Sequence, residues 1–263
     1  MSELILYAVA DGIATITFNR PQVMNALDPA TIVEFRAVCE RAERDAAARV
    51  VVMRGAGRAF LAGGDVASFK SNLATFSRDV VGMAGELHRG ILALRRAPKP
   101  VIASVHGAVA GAGMSIMMAS DLIIAAEGTQ FNMAYSRIAT SPDGGASWFL
   151  PRLIGYQKAM ELLLLAEAVD AGTMQAMGVI NRVVAAAELE GVTMKLAQRL
   201  AAGPATAYAE TKALVNSSIN QELARHLEAE AQAFSRCSAH LDFAEGVTAF
   251  MNKRKAVFKH DRD

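Results

Sequence analysis

The chain has 263 residues, ample for a sizeable core, as one large domain or one domain with an appendage. Its formal charge of +1 gives no electrostatic footing for a nucleic acid or an anionic membrane. Two cysteines, Cys39 and Cys237, fit a reducing compartment. Neither has a partner at metal or redox spacing, and the five histidines form no ligand pair on one helix face. The opening MSELILYAVADGIATITF lacks a basic n-region, so the expectation is a cytoplasmic protein without signal peptide or metal.

In chain order, residues 4–10 and 13–18 flank Asp11-Gly12, a two-residue hairpin turn. NRPQVMNALD (residues 19–28) reads as an irregular loop. Asp28-Pro29 then starts a helix, with Asp28 as N-cap, and Ile32, Phe35, Val38 and Ala42 carry its inner face to about Ala46. Residues 50–54 read as a buried strand and residues 55–66 as a glycine loop. Val80, Ala84, Leu87, Ile91 and Leu94 mark a long helix that ends before Pro98 and Pro100.

Residues 101–126, VIASVHGAVAGAGMSIMMASDLIIAA, are the most apolar run. Roughly 20 apolar residues would span a bilayer, but the glycines in its first half and Asp121 near its end argue for a different parse. That parse is a buried strand (101–105), a glycine turn (107–113), a short buried helix (114–119) and a second strand (122–126). The turn presents a helix N-terminus, whose free N–H groups attract negative charge. It is no dinucleotide fingerprint, which would need glycine at Ile116, and no lysine follows to make a phosphate-binding loop.

Beyond a strand at 130–133 and the turn-rich SPDGG (residues 141–145), the chain becomes helical from about Ala186. Residues 186–202, 204–217, 220–239 and 242–255 each read as a helix. Alternating strands and helices before that point predict an α/β fold with largely parallel strands.

AFLAGGD (residues 59–65) and AGAGMS (residues 110–115) each follow a buried strand and leave small residues beside exposed N–H groups. Two such groups aimed at one oxygen would stabilise an enolate; the alternative is two unrelated tight turns, since spacing alone does not join residues 64 and 112. The ordered motifs NRPQVMNALD, GRAFLAGGDV, PKPVIASVHGAVAGAGM, ASDLIIAAEGTQF and PRLIGYQKAMELLL resemble the crotonase (enoyl-CoA hydratase/isomerase) superfamily over essentially the whole length. The resemblance implies a spiral of strand–strand–helix units over residues 1–200 and a helical trimerisation region over residues 201–263, giving a homotrimer or a dimer of trimers. It implies an acyl-CoA thioester as substrate, with no cofactor beyond the coenzyme A that the substrate carries. By that likeness the backbone N–H groups of Gly64 and Ala112 form the oxyanion hole, although many relatives have glycine in place of Ala112. Ala62, Gly63, Asp65 and Val66 would line the CoA path, with Phe250 and Lys253 at the nucleotide end.

Side chains decide which reaction such a pocket performs. The two catalytic glutamates of hydratases align with Ser115 and Tyr135, neither of which can serve as a carboxylate base. Asp143 aligns with the catalytic aspartate of isomerases in the superfamily, including ring-epoxide isomerases; the competing reading makes it the N-cap of a helix beginning near Gly145. The expected activity is an isomerase that shifts a double bond, or opens an epoxide, beside the thioester. One alternative is a hydrolytic aryl-CoA dehalogenase with Asp143 as nucleophile and His88 as the base that activates water; otherwise His88, Ser115 and Tyr135 line the acyl pocket. The other alternative is a non-catalytic acyl-CoA-binding scaffold. Arg137 and Trp148 are read as a salt-bridge partner and a packing residue.

Overall fold

The computed structural model describes residues 3–70 and 73–258. Its strands are β1 (Ile5–Ala10), β2 (Ile13–Phe18), β3 (Val50–Gly55), β4 (Val101–Val105), β5 (Ala108–Ala110), β6 (Leu122–Ala126), β7 (Gln130–Asn132), β8 (Val169–Asp170) and β9 (Arg182–Val184). β1 and β2 are antiparallel, and Asp11 and Gly12 both take positive φ in the turn between them, as a tight hairpin requires. From β2 onward the large sheet is parallel, in the order β1-β2-β3-β4-β6-β9. A smaller sheet, β5-β7-β8, stands beside it.

The central strands are buried on both faces, so their side chains divide by alternation. Val51, Met53, Val101, Ala103 and Val105 point into the main core with Phe35, Leu94 and Met114. Val50, Val52, Ile102, Ile124 and Ala126 point the other way, onto Leu189 and Ala197. The first of these faces is covered by α1 (Pro29–Arg44), α3 (Leu73–Arg96) and α4 (Ala112–Met118), with the short α2 (Val66–Lys70) preceding α3. α5 (Ala146–Ile154), α6 (Tyr156–Leu165) and α7 (Ala171–Ala176) come next, and α8 (Leu189–Ala201) covers the opposite face. Asp28 caps α1 as expected: its Oδ1 accepts from the Thr31 N–H at 2.8 Å and from Thr31 Oγ1 at 2.7 Å.

Two expectations need correction. The glycine turn of residues 107–113 contains β5, which pairs in parallel with β7, and α4 begins at Ala112 rather than at Met114. Gly111 makes the turn, at φ 49° and ψ −121°, a conformation open to glycine alone. The final stretch is helical as expected: α9 (Ala205–Ser218), α10 (Leu223–Ser238) and α11 (Leu241–Met251) succeed α8. No residue of α9 is buried, and only Ala233 of α10 is. Lys212 fastens α9 to the core, its Nζ bonded to the Leu94 carbonyl at 2.8 Å, the Lys99 carbonyl at 3.1 Å and Asp121 Oδ2 at 2.8 Å.

Glycines at three positions allow the loop after β3 to lie directly against β5 and α4. A Cβ on Gly55 would meet the Ala59 carbonyl at 2.3 Å, one on Gly107 the Arg58 carbonyl at 1.9 Å, and one on Gly113 the Leu61 carbonyl at 2.2 Å. Alanine for glycine inside a helix ordinarily stabilises by about 1 kcal/mol. Gly113→Ala should instead destabilise, by roughly 1–3 kcal/mol of overpacking, as read from urea midpoints; a rise in the midpoint would contradict this seating.

Candidate active site

The loop after β3 is shaped by the loop before α1. Asn25, buried and at positive φ, donates from Nδ2 to the carbonyls of Ala56 (3.0 Å), Ala59 (2.8 Å) and Phe60 (3.1 Å). Its Oδ1 accepts from the Arg20 N–H at 2.8 Å. Further along, Leu61 pairs with β5: its N–H donates to the Ala108 carbonyl at 3.3 Å and its carbonyl accepts from Ala110 at 3.0 Å. Gly63 and Asp65 use the opposite edge. The Gly63 carbonyl accepts from the Leu27 N–H at 2.8 Å, and the Asp65 N–H donates to the Leu27 carbonyl at 2.9 Å.

In a parallel bridge the residue between two such bonds has its own N–H turned to the other edge. Gly64 is that residue, so its N–H faces away from Leu27, and no acceptor within the described residues takes it. The N–H of Ala112 is also free of a partner, because Ala112 opens α4 and has no carbonyl four residues back in the helix. The backbones that carry the two groups touch: a Cβ on Gly63 would lie 3.0 Å from the Ala110 carbonyl oxygen and 3.7 Å from the Ala112 nitrogen. Gly64 is glycine for a steric reason, since a Cβ there would meet Phe69 Cζ at 2.6 Å. Alanine at position 112 is unstrained; the positive φ falls on Gly111.

The second half of the site is a closed set of hydroxyl–carboxylate bonds. Tyr135 OH donates to Asp143 Oδ1 at 2.8 Å and lies 3.1 Å from Ser115 Oγ, and Ser115 Oγ donates to the Asp143 carbonyl at 2.9 Å. Ser115 is fully buried on α4, and Gly144 fits against it because a Cβ at 144 would sit 2.7 Å from Ser115 Cβ. Burial first, and then the neighbouring Asp143 charge, push the Tyr135 phenol well above its ordinary pKa, so it stays a donor. Asp143 does not cap α5: Gly145 holds the N-cap position with no side-chain cap bond, and the Asp143 carbonyl accepts from Ala146 N–H. The capping reading of Asp143 is therefore overturned. Its Oδ2 makes no hydrogen bond among the described residues.

The remaining sequence-derived residues are spread more widely. Ala62 donates its N–H to the Met24 carbonyl at 3.0 Å, and Val66 begins α2, exposed. The Asp65 carboxylate is engaged within the chain, 3.2 Å from the Arg20 guanidinium and 3.3 Å from the Ser68 N–H. Its side chain thus holds the loop and leaves only backbone to face a ligand. Phe250 is 83% exposed near the end of α11, and Lys253 lies just beyond it at positive φ. His88, on α3, accepts the Gly144 N–H at Nε2, 3.2 Å away, and lines a cavity of about 500 Å³ with Ile91, Trp148 and Phe149. Arg137 makes no salt bridge there; it donates to the Ala166 carbonyl at 2.7 Å. Trp148 packs edge-on against Phe149, with Arg152 over its face. Arg20 and Asn25 were visible in NRPQVMNALD only as a motif, with nothing to assign them the task of shaping the loop. Among the described residues, no group of three or more His, Cys, Asp or Glu gathers to hold a metal.

Residues 8–261 match the family described as Enoyl-CoA hydratase/isomerase. The chain is 38% identical to a protein of Rhodobacter capsulatus named a probable enoyl-CoA hydratase, covering 97% of each. It is 34% identical to the 1,2-epoxyphenylacetyl-CoA isomerase of Escherichia coli, covering 98% of this chain and 99% of that one. The crystal structure of an enoyl-CoA hydratase from Polaromonas sp. JS666 superposes with a TM-score of 0.92 at 33% identity, over 97% of this chain and 99% of the other. With the sheet, the paired loops and the C-terminal helices in place, the chain belongs to the enoyl-CoA hydratase/isomerase family and has its crotonase-like α/β fold.

Proposed function

We propose that this protein is an acyl-CoA isomerase that moves a double bond, or opens an epoxide, beside a CoA thioester, with Asp143 as the base. One observation carries the reading. Ser115 lies three residues after Ala112 on α4, on the same side of the helix, and its hydroxyl is bonded to Asp143. The only carboxylate in the cluster is thereby held one helical turn from one of the two free N–H groups.

The thioester oxygen accepts from Gly64 and Ala112, which acidifies the proton at C2. Asp143 Oδ2 takes that proton while Oδ1 stays bonded to Tyr135. The enolate oxygen is stabilised by the two N–H groups, at roughly 2.7–4 kcal/mol per donor by analogy with other oxyanion holes. Asp143 then returns the proton at C4, converting a 3-enoyl into a 2-enoyl thioester. The route calls for no redox cofactor or metal, and coenzyme A enters as part of the substrate. Hydration is disfavoured because Ser115 and Tyr135 stand where a pair of carboxylates would hold water, and both hydroxyls are engaged with Asp143. Dehalogenation is disfavoured because the Nε2 of His88 already holds Gly144.

We also assign residues 201–263 an oligomerisation role, in a homotrimer or a dimer of trimers. Leu223, Phe234, Leu241 and Phe250 on α10 and α11 are strongly exposed, an apolar surface that a second copy would cover. Phe250 and Lys253 of a neighbouring copy would then reach the nucleotide end of the substrate. Among the described residues no helix is long and apolar enough to cross a membrane, in keeping with a cytoplasmic location.

Asp143→Asn should lower kcat for a 3-enoyl-CoA by about 10²–10⁴-fold and leave the dissociation constant of the CoA ester unchanged; full activity would rule out Asp143 as the base. Tyr135→Phe removes a donor to the carboxylate, so the acid limb of the pH–rate profile should move to higher pH. An acid limb that stays in place or moves lower would show that the phenol does not act on Asp143. In the wild type, ultraviolet titration should detect no ionisation of Tyr135 below about pH 10. Light scattering should give a mass that is a multiple of three chains, and a monomer at micromolar concentration would contradict the oligomeric assignment.

A further inference from the structure

The peptide unit between Asp143 and Gly144 is held at both ends. Its carbonyl accepts from Ser115 Oγ at 2.9 Å, and its N–H donates to His88 Nε2 at 3.2 Å. No peptide bond among the described residues is cis, so these two groups point in opposite directions, and α4 and α3 grip the plane from opposite sides. The grip matters because the chain beyond Asp143 is permissive. Gly144 and Gly145 both lie at positive φ, 59° and 84°, and a pair of glycines imposes little preference of its own on the backbone. Rotation of this peptide would turn ψ of Asp143 and carry the carboxylate away from Tyr135.

We propose that His88 is a positioning residue for Asp143: by accepting the Gly144 N–H it fixes the peptide plane from which the base projects. The inference rests on the reading of Asp143 as base. A backbone N–H can only donate, so Nε2 carries no proton and the neutral ring is protonated at Nδ1. That is the less common tautomer of a free histidine, held here by the bond itself. His88 neither supplies nor accepts the reacting proton.

The assignment separates three variants. His88→Leu keeps the bulk and removes the acceptor, so kcat for a 3-enoyl-CoA should fall on the order of tenfold with KM unchanged. His88→Gln can place its Oε1 near the Nε2 position and should restore most of kcat, whereas His88→Asn, whose oxygen falls short, should not. Unfolding midpoints on the same samples identify a variant that fails only through loss of stability. If the leucine variant keeps wild-type kcat, if its effect falls on KM instead, or if glutamine is as impaired as leucine, the positioning role is wrong. Nitrogen-15 NMR of the ring gives a readout free of turnover. A protonated Nδ1 and bare Nε2 at neutral pH are expected, and the opposite tautomer would overturn the proposal. A wild type without isomerase turnover that shows the expected tautomer would refute the isomerase reading while leaving the peptide clamp intact.

Discussion

Backbone lying on backbone, with no side chain between, is the constraint on which the rest of the site depends. The loop after β3 reaches β5 and α4 because Gly55, Gly107 and Gly113 leave out the atoms that would hold them apart. With that seating, Leu61 joins β5, Leu27 takes the other edge at Gly63 and Asp65, and Gly64 is left with its N–H turned away from Leu27. The polar groups of a buried loop must be paired or they cost stability. Here nearly all are paired by Asn25, Leu27 and β5, and those left over are the ones a thioester oxygen would use. Such donors are already oriented before substrate arrives, which is why they can act on charge that develops only during reaction.

The carboxylate is held by a different logic. Three hydroxyl contacts and an imidazole surround residues 143–144, and they come from α3, α4 and the segment after β7. None of these groups is a second carboxylate. A site with two carboxylates can hold and activate water between them. A site with one, tethered by neutral donors, is better suited to moving a proton between two carbons of the same substrate. The distinction between the two halves of the family's name thus comes down to what occupies positions 115 and 135.

Much of this was legible in the chain, and the boundary has physical causes. Long β-branched runs, the Asp28-Pro29 start and the Asp11-Gly12 turn are local signals, and each appears in the structure where its residues place it. β5 was not legible, because Ala108–Ala110 is three small residues among glycines and is a strand only by pairing with β7. α2 was missed for the same reason of length. Ser115, Tyr135 and Asp143 could each be singled out. Their mutual bonds could not, since they join residues 20 and 28 positions apart through the packing of α4 against the loop before α5. The turn chemistry of Pro142-Asp143-Gly144 pointed equally to a helix cap, and only the Tyr135 bond to Oδ1 decides against it.

The most direct test of the account is the product distribution from paired substrates in deuterium oxide, monitored by proton NMR. A 3-enoyl-CoA should be converted to the 2-enoyl-CoA, and 2-enoyl-CoA supplied alone should yield no more than a trace of 3-hydroxyacyl-CoA. Rapid formation of the 3-hydroxyacyl thioester as the main product would contradict the account, because it would mean that water is activated at a site whose only tethered carboxylate is Asp143.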